Sequence, residues 1–167
     1  MTRGRSLTLV GLVVSLTALG IGGCGGGAGG SHASTSEGSP TISVANTGLG
    51  DVLIDSQNRT VYLFKKDTGA KSTCFGACAH NWPPVRVTGK PTVGGGAKAS
   101  LIGTTPRSDG KPQVTYNGHP LYLFLGDNTP GATNGQGNRA FGAAWFVVSP
   151  AGNRVSGKST AGRSSGY

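Results

Sequence analysis

The feature that most constrains this chain is an internal repeat. Residues 62–67 read YLFKKD, and sixty residues later residues 122–127 read YLFLGD. Each copy is followed by a glycine-rich stretch and then by a tryptophan, Trp82 in the first copy and Trp145 in the second. A repeat of this kind indicates that one structural unit was used twice. The sequence therefore predicts a domain with two pseudo-equivalent halves.

Strand and turn signals dominate both copies. With 31 glycines and only 13% charged residues, the chain is turn-rich and strand-rich rather than helical. In the second copy, Asn117-Gly118 separates the β-rich runs 113–116 and 120–125, and both residues accept the positive φ of a type I′ turn. Two runs in the first copy, 52–55 and 60–64, predict a matching hairpin.

The tryptophan segments complete each repeat. The run beginning at Trp145 is apolar at consecutive positions, which predicts a strand buried on both faces. The run beginning at Trp82 continues with Pro83-Pro84, which cannot donate to a ladder and therefore favours an edge. A short helical turn near Cys78 or Pro106 is compatible with the sequence.

These signals predict an all-β fold in one domain, because about 115 residues suffice for one hydrophobic core. Strand order cannot be read from local pattern, so a sandwich and a small barrel both stay open. The predicted segments are a signal peptide at 1–23, a lipidated cysteine with a disordered Gly/Ser tether at 24–40, a two-repeat domain at 41–155 (repeat one at about 48–88, repeat two at about 100–152) and a disordered tail at 156–167.

The N-terminus predicts export and a lipid anchor. Arg3 and Arg5 precede an apolar run at 7–21, which has the length of a signal-peptide core rather than a membrane span. The run ends in LGIGGC, which looks like a bacterial lipobox with Cys24 as the residue that is acylated, by palmitate for example. There are two alternatives: an ordinary signal peptide with a chance cysteine, and an uncleaved anchor helix.

The remaining two cysteines form an even pair. In an exported protein, Cys74 and Cys78 are expected to form a disulfide. The alternatives are a soft-metal site, copper above all, built from these thiolates with His80 or His119, and a reversible thiol relay. A four-residue separation closes a tight loop, which stabilises by only about 2 kcal/mol.

Charge bears on the partners. The formal net charge is +9, and removal of Arg3 and Arg5 with the signal peptide leaves +7. Such an excess suits an anionic membrane surface or anionic wall polymers. Nucleic acid is not expected outside the membrane. Because the basic residues are scattered along the chain, a merely solvated basic surface is the plain alternative.

Several motifs in order resemble one family. They are the two Tyr-x4-Asp segments, Cys74-x3-Cys78 before Trp82-Pro83-Pro84, the stretch YNGHPLY at 116–122 and NGQG at 134–137. Over about residues 48–152 the chain resembles the bacterial "secreted repeat" lipoproteins with a Tyr-x4-Asp motif. The resemblance implies export and a two-repeat fold. It implies no catalytic residue, because the family's biochemical role is undefined.

The repeat motif itself has two interpretations. Tyr62 and Tyr122 are expected to pack in the core, and Asp67 and Asp127 to cap the turns that follow their strands. The rival interpretation is a paired-carboxylate site, if the repeat symmetry brings the two aspartates together.

Three functions stay open. The first is a non-catalytic envelope protein that binds wall polymer or another protein, and the second is a redox or copper-binding lipoprotein. The third is an envelope hydrolase in which Asp67 and Asp127, or His119, line one pocket. Catalysis has little support, because the sequence contains no nucleophile elbow, no HExxH helix and no phosphate loop. No cofactor is required by the sequence.

Overall fold

The computed structural model describes residues 41–157, which fall within one compact unit. The predicted signal peptide, Cys24, the predicted tether and all but the first two residues of the predicted tail lie outside the described residues. The described chain contains eight strands and one short helix: β1 (Ile42–Thr47), β2 (Gly50–Asp55), β3 (Tyr62–Phe64), α1 (Ala77–Asn81), β4 (Ile102–Thr105), β5 (Gln113–Tyr116), β6 (His119–Pro120), β7 (Arg139–Ala140) and β8 (Ala143–Val147).

The strands form three small antiparallel sheets, which confirms the all-β prediction. Their orders are β1–β2, β3–β8–β7 and β4–β5–β6. Within residues 41–157 the sheets do not close into a barrel, so that alternative was wrong. Short strands broken by turns at glycine leave each sheet too narrow to curl on itself. No helix in this part of the chain is long and apolar enough to cross a membrane.

Each repeat begins with the same antiparallel ladder. In the first repeat β1 pairs with β2, starting from Ile42 opposite Asp55. In the second, β4 pairs with β5, starting from Ile102 opposite Tyr116. The Asn117-Gly118 turn then leads into β6, with φ of 48° and 73° as a type I′ turn requires. The hairpin predicted there is confirmed.

The first-repeat hairpin is shorter than the sequence predicted. Its two runs meet only at the bridge between Ile54 and Thr60. The next strand, β3, pairs instead with β8 of the second repeat, with Tyr62 opposite Val147 and Phe64 opposite Trp145. This exchange brings the large aromatic side chains of both repeats into one cluster, where their burial and ring contacts stabilise the pairing.

The repeats exchange segments reciprocally. Pro84, which follows Trp82 in the first repeat, forms a bridge with Tyr122 of the second, just as Val147 pairs with Tyr62. Between these two contacts, the backbones of Tyr62 and Tyr122 bond to each other in both directions, at 2.8 and 2.9 Å. A pseudo-twofold axis therefore passes between the two tyrosines.

The alternation of side chains along YLF divides the core into two clusters. Successive residues of a strand face opposite sides. Leu63 and Leu123 belong to an aliphatic cluster, whereas Tyr62 and Tyr122 belong to an aromatic one. Both faces of this strand are thus buried, and the motif lies at the centre of the domain.

Candidate functional site

In the repeat motif, the tyrosine of each copy forms a hydrogen bond with the aspartate of the other copy and not with its own. The Tyr62 hydroxyl donates to Asp127 Oδ2 at 2.6 Å, and the Tyr122 hydroxyl donates to Asp67 Oδ2 at 2.7 Å. Each tyrosine therefore uses the aspartate of the other repeat. The spacing Tyr-x4-Asp carries the aspartate past the end of its own strand and across the pseudo-twofold axis.

The second oxygen of each carboxylate caps a turn, as the sequence predicted. Asp67 Oδ1 accepts the backbone N–H of Thr73 at 2.8 Å. Asp127 Oδ1 accepts that of Asn134 at 2.9 Å. Each aspartate therefore fixes its own loop with one oxygen and the opposite repeat with the other.

The electrostatics of these pairs favour neutral, donating tyrosines. Burial raises the pKa of both Tyr62 and Tyr122 far above the ordinary value, and the neighbouring carboxylates raise it further. Burial also raises the pKa of Asp127, against the opposing effect of the Tyr62 hydrogen bond. A phenol that stays protonated at every physiological pH cannot serve as a general base. The arrangement is suited to holding two repeats together.

Four aromatic rings form a stack between the crossed pairs. In order they are Phe64, Trp145, Trp82 and Phe124, with successive centroids 3.9, 4.0 and 4.3 Å apart. The tyrosines meet this stack edge-on, Tyr62 against Trp82 and Tyr122 against Trp145. The repeats thus alternate within the stack, so that neither repeat can complete its aromatic core alone.

Gly135 shows how tightly this cluster is packed. A Cβ at this position would lie 2.8 Å from the Trp82 ring and 2.9 Å from the Tyr62 ring. The backbone N–H of Gly135 also donates to the Tyr62 hydroxyl at 3.3 Å. Glycine in the NGQG stretch is therefore required by close approach of the backbone to the ring stack.

The cysteines form the predicted disulfide. Cys74 and Cys78 are bonded to each other, with 0% and 7% of their surfaces exposed. The loop continues into α1, which confirms a helical turn near Cys78. His80 is exposed on this helix, whereas His119 is half-buried in β6 of the other repeat.

The alternative metal set, Cys74, Cys78, His80 and His119, is not assembled among the described residues. Among residues 41–157, no group of three or more His, Cys, Asp or Glu side chains is placed to hold a metal ion. Because the sulfurs of Cys74 and Cys78 are bonded to each other, they do not offer two thiolates to a soft metal.

A buried arginine, whose role the sequence did not predict, links the disulfide loop to the second repeat. The Arg107 guanidinium donates to Ser72 Oγ and Gln113 Oε1, both at 2.7 Å, and to the carbonyl of Cys74 at 2.8 Å. Its Nε contacts Asp109 at 3.2 Å. A buried charge with so many hydrogen bonds is costly to disturb. Nothing in the local pattern around Arg107 signals this role.

The arginine network reaches the crossed motif through Ser72. Ser72 Oγ lies 2.8 Å from the Tyr122 hydroxyl. That hydroxyl has one proton, which it gives to the Asp67 carboxylate, so Ser72 supplies the proton of the second contact. The disulfide loop and the motif are therefore one continuous polar network.

Comparison with known proteins is consistent with this two-repeat architecture. No curated protein and no solved structure matches the chain. The model of one protein family, described as a secreted repeat of unknown function, matches residues 43–86 and 103–149. The two matches coincide with the two structural repeats. The chain therefore belongs to the family of secreted repeats of unknown function and is an exported protein.

Proposed function

We propose that this protein is a non-catalytic, lipid-anchored protein of the cell envelope. Acylated Cys24 would hold it on the outer face of the cytoplasmic membrane, and the folded domain would serve as a binding or structural module. The observation that carries the proposal is the crossed bonding of Tyr62 to Asp127 and of Tyr122 to Asp67. The polar groups that the repeats share are used to hold the domain together.

The non-catalytic proposal follows from what a hydrolase would need. A general acid or base must have a proton or lone pair directed at a substrate. Both oxygens of Asp67 and of Asp127 already accept hydrogen bonds from the protein, and the two tyrosines are buried donors. An envelope hydrolase built on these groups would first have to break the bonds between the repeats.

The redox or copper-binding alternative remains the second proposal. A reactive cysteine needs thiolate character and access. Cys74 and Cys78 are nearly covered, and the carbonyl of Cys74 is bonded to Arg107. We therefore favour a disulfide that shapes the loop for Arg107 over one that exchanges electrons.

The lipid anchor is supported by the order of segments along the chain. The lipobox-like LGIGGC ends at Cys24, and the first described strand begins at Ile42. A Gly/Ser tether between these points would span on the order of 20–25 Å as a random coil. A tether of that length would hold the domain clear of the lipid head groups while keeping it at the membrane. Several acyl chains bind a membrane far more firmly than one does.

Acylation of Cys24 is the decisive test. The wild-type chain should incorporate radiolabelled palmitate and partition into the detergent phase of a Triton X-114 extraction. Cys24→Ala should lose the palmitate label, while Ser31→Ala, a matched control in the tether, should keep it. A wild-type chain that takes up no palmitate, or a Cys24→Ala chain that still takes it up, would contradict the lipid anchor.

The excess of basic side chains is the basis for proposing a partner of the domain. The described residues carry eleven lysines and arginines against five aspartates. We propose an anionic component of the envelope, either a wall polymer or a surface of another protein, rather than nucleic acid.

A further inference from the structure

One pocket concentrates cationic side chains from both repeats. It has a volume of about 360 Å³ and lies where the end of β3, strand β6 and the segment after β8 meet. Within the part of the chain that the structure describes, no acidic residue lines it. Its lining residues are Leu63, Lys65, His119, Asn153, Arg154 and Ser156.

Among the described residues, Lys65 and Arg154 form no ion pair with a carboxylate. The three ion pairs within residues 41–157 involve Arg59, Arg86 and Arg107. Lys65 and Arg154 take part in none of them. Unpaired cations around a concave surface focus a positive potential into it.

The Arg154 side chain is held against a ring, and the backbone that carries Lys65 is fixed in the sheet. The Arg154 guanidinium lies over the Phe146 ring, 5.1 Å from its centroid, and the Arg154 backbone forms a bridge with Val148. The Lys65 backbone is bonded to the carbonyl of Ala144 at 3.0 Å. Less conformational entropy is lost when such prepositioned groups bind a ligand.

His119 is the third donor of the pocket. It pairs with Tyr116 across the type I′ turn and is half-buried. Burial lowers the pKa of His119, the charge of Lys65 lowers it further, and Asp67 acts in the opposite direction. An anion in the pocket would raise the pKa of this imidazole, which makes His119 a reporter of occupancy.

The pseudo-twofold axis supplies an internal control. The related pocket, of about 540 Å³, is lined by Leu123 and Arg59, which correspond to Leu63 and His119. There the arginine is neutralised by Asp55, with Nη2 and Oδ2 2.6 Å apart. The counterpart of Lys65 is Leu125. The repeats thus place an unpaired cationic pocket on one side and a neutralised one on the other.

We propose that the pocket of Lys65, His119 and Arg154 binds a phosphate group. An ammonium, a guanidinium and an imidazole, with an amide and a hydroxyl beside them, match the oxygens of a phosphate mono- or diester. The group could belong to a soluble phosphate compound or to an anionic lipid head group. The inference rests on the proposed envelope location for its ligand, but the pocket does not depend on the lipid anchor.

The test uses the full chain with Cys24→Ala, so that binding is measured independently of acylation. Inorganic phosphate is titrated at constant ionic strength while the imidazole signals are followed by NMR. We expect a saturating shift at His119 with a raised pKa and no such change at exposed His80. The double variant Lys65→Gln/Arg154→Gln should weaken phosphate binding by about tenfold or more, because two charged hydrogen bonds are lost.

Arg59→Gln, in the related pocket, is the matched control and should leave phosphate binding unchanged. Thermal melts establish that each variant is folded. Equal shifts with chloride, or phosphate binding that survives the double variant, would overturn the proposal. Vesicles of phosphatidylglycerol and of phosphatidylcholine then identify the source. If the protein binds phosphatidylglycerol vesicles but not phosphatidylcholine vesicles, and the double variant binds neither, the ligand is a lipid head group. If the protein binds inorganic phosphate but neither kind of vesicle, the ligand is a soluble compound.

Discussion

The two repeats share a strand framework but support their tryptophans differently. In the first, Trp82 follows the disulfide loop and α1, and its backbone N–H bonds to the carbonyl of Cys78 at 2.8 Å. In the second, Trp145 lies in the β7–β8 hairpin, and its indole N–H donates to the carbonyl of Ala140 at 3.2 Å. The disulfide-closed loop in the first repeat and the hairpin in the second thus both position a tryptophan in the ring stack.

This difference separates what the fold requires from what is specific to each half. The ring stack and the crossed tyrosine–aspartate bonds are symmetric, so they are the structural requirement. The disulfide, Arg107 and the cationic pocket are each present on one side, so any activity particular to this protein is expected in those features.

Loss of either tryptophan should produce the largest effect. Trp82→Ala and Trp145→Ala each remove a ring from the middle of the stack, and we expect each to destabilise the domain by about 3–5 kcal/mol. Urea unfolding of both variants measures this. Similar losses of stability would support the conclusion that the fold requires both tryptophans equally. A loss confined to one variant would show that the two repeats do not contribute equally to the ring stack.

Removal of the disulfide should cost less. The double variant Cys74→Ala/Cys78→Ala opens the loop that presents the Cys74 carbonyl to Arg107. We expect a loss of about 2 kcal/mol from chain entropy. Melting with and without reductant measures it in the wild type, and the double variant, which should not respond to reductant, is the control. An unchanged melting temperature on complete reduction would assign the loop no structural role.

The crossed hydrogen bonds should each contribute about 1–3 kcal/mol, because a half-buried carboxylate loses its donor from a buried tyrosine. Tyr122→Phe should cost more than Tyr62→Phe, since the second contact of Tyr122, with Ser72 at 2.8 Å, is shorter than that of Tyr62 with Gly135 at 3.3 Å. Chemical denaturation of each variant measures the cost. In a double-mutant cycle, Tyr62 should couple to Asp127 and not to Asp67. Coupling within a repeat would refute the crossed arrangement.

The smallest expected effect is a pH dependence from His119. Its pKa is lowered in the folded protein, by burial first and by Lys65 second. Because the pKa of His119 is lower in the folded state than in the unfolded state, this residue contributes stability at pH values above the unfolded-state pKa of about 6.5. The contribution is lost as the pH falls through the folded-state pKa, where the imidazole must be protonated in an unfavourable site. Between pH 8 and pH 5, without phosphate, the wild type should lose more melting temperature than His119→Gln does. Equal decreases in melting temperature for the two proteins would show that the pKa of His119 is not lowered by folding.

Local features were the ones that the sequence could predict. The type I′ turn at Asn117-Gly118 follows from backbone preference alone, and the disulfide follows from export and spacing. The pairing of β3 with β8 joins residues far apart in the chain, and no local signal names a strand's partner. Arg107 resembled any exposed arginine, because its burial depends on Ser72 and Gln113 being assembled around it.

The exchange of partners across the pseudo-twofold axis also bears on descent. A polypeptide containing one repeat alone would have a tyrosine without its aspartate and half of a ring stack. Two such polypeptides could satisfy each other about the same axis, as a homodimer in which every crossed bond is intermolecular. The present chain has the form expected when the gene for such a dimer is duplicated and fused. After such a fusion the halves would be free to diverge, and correlated substitutions are expected to link Tyr62 with Asp127 rather than with Asp67.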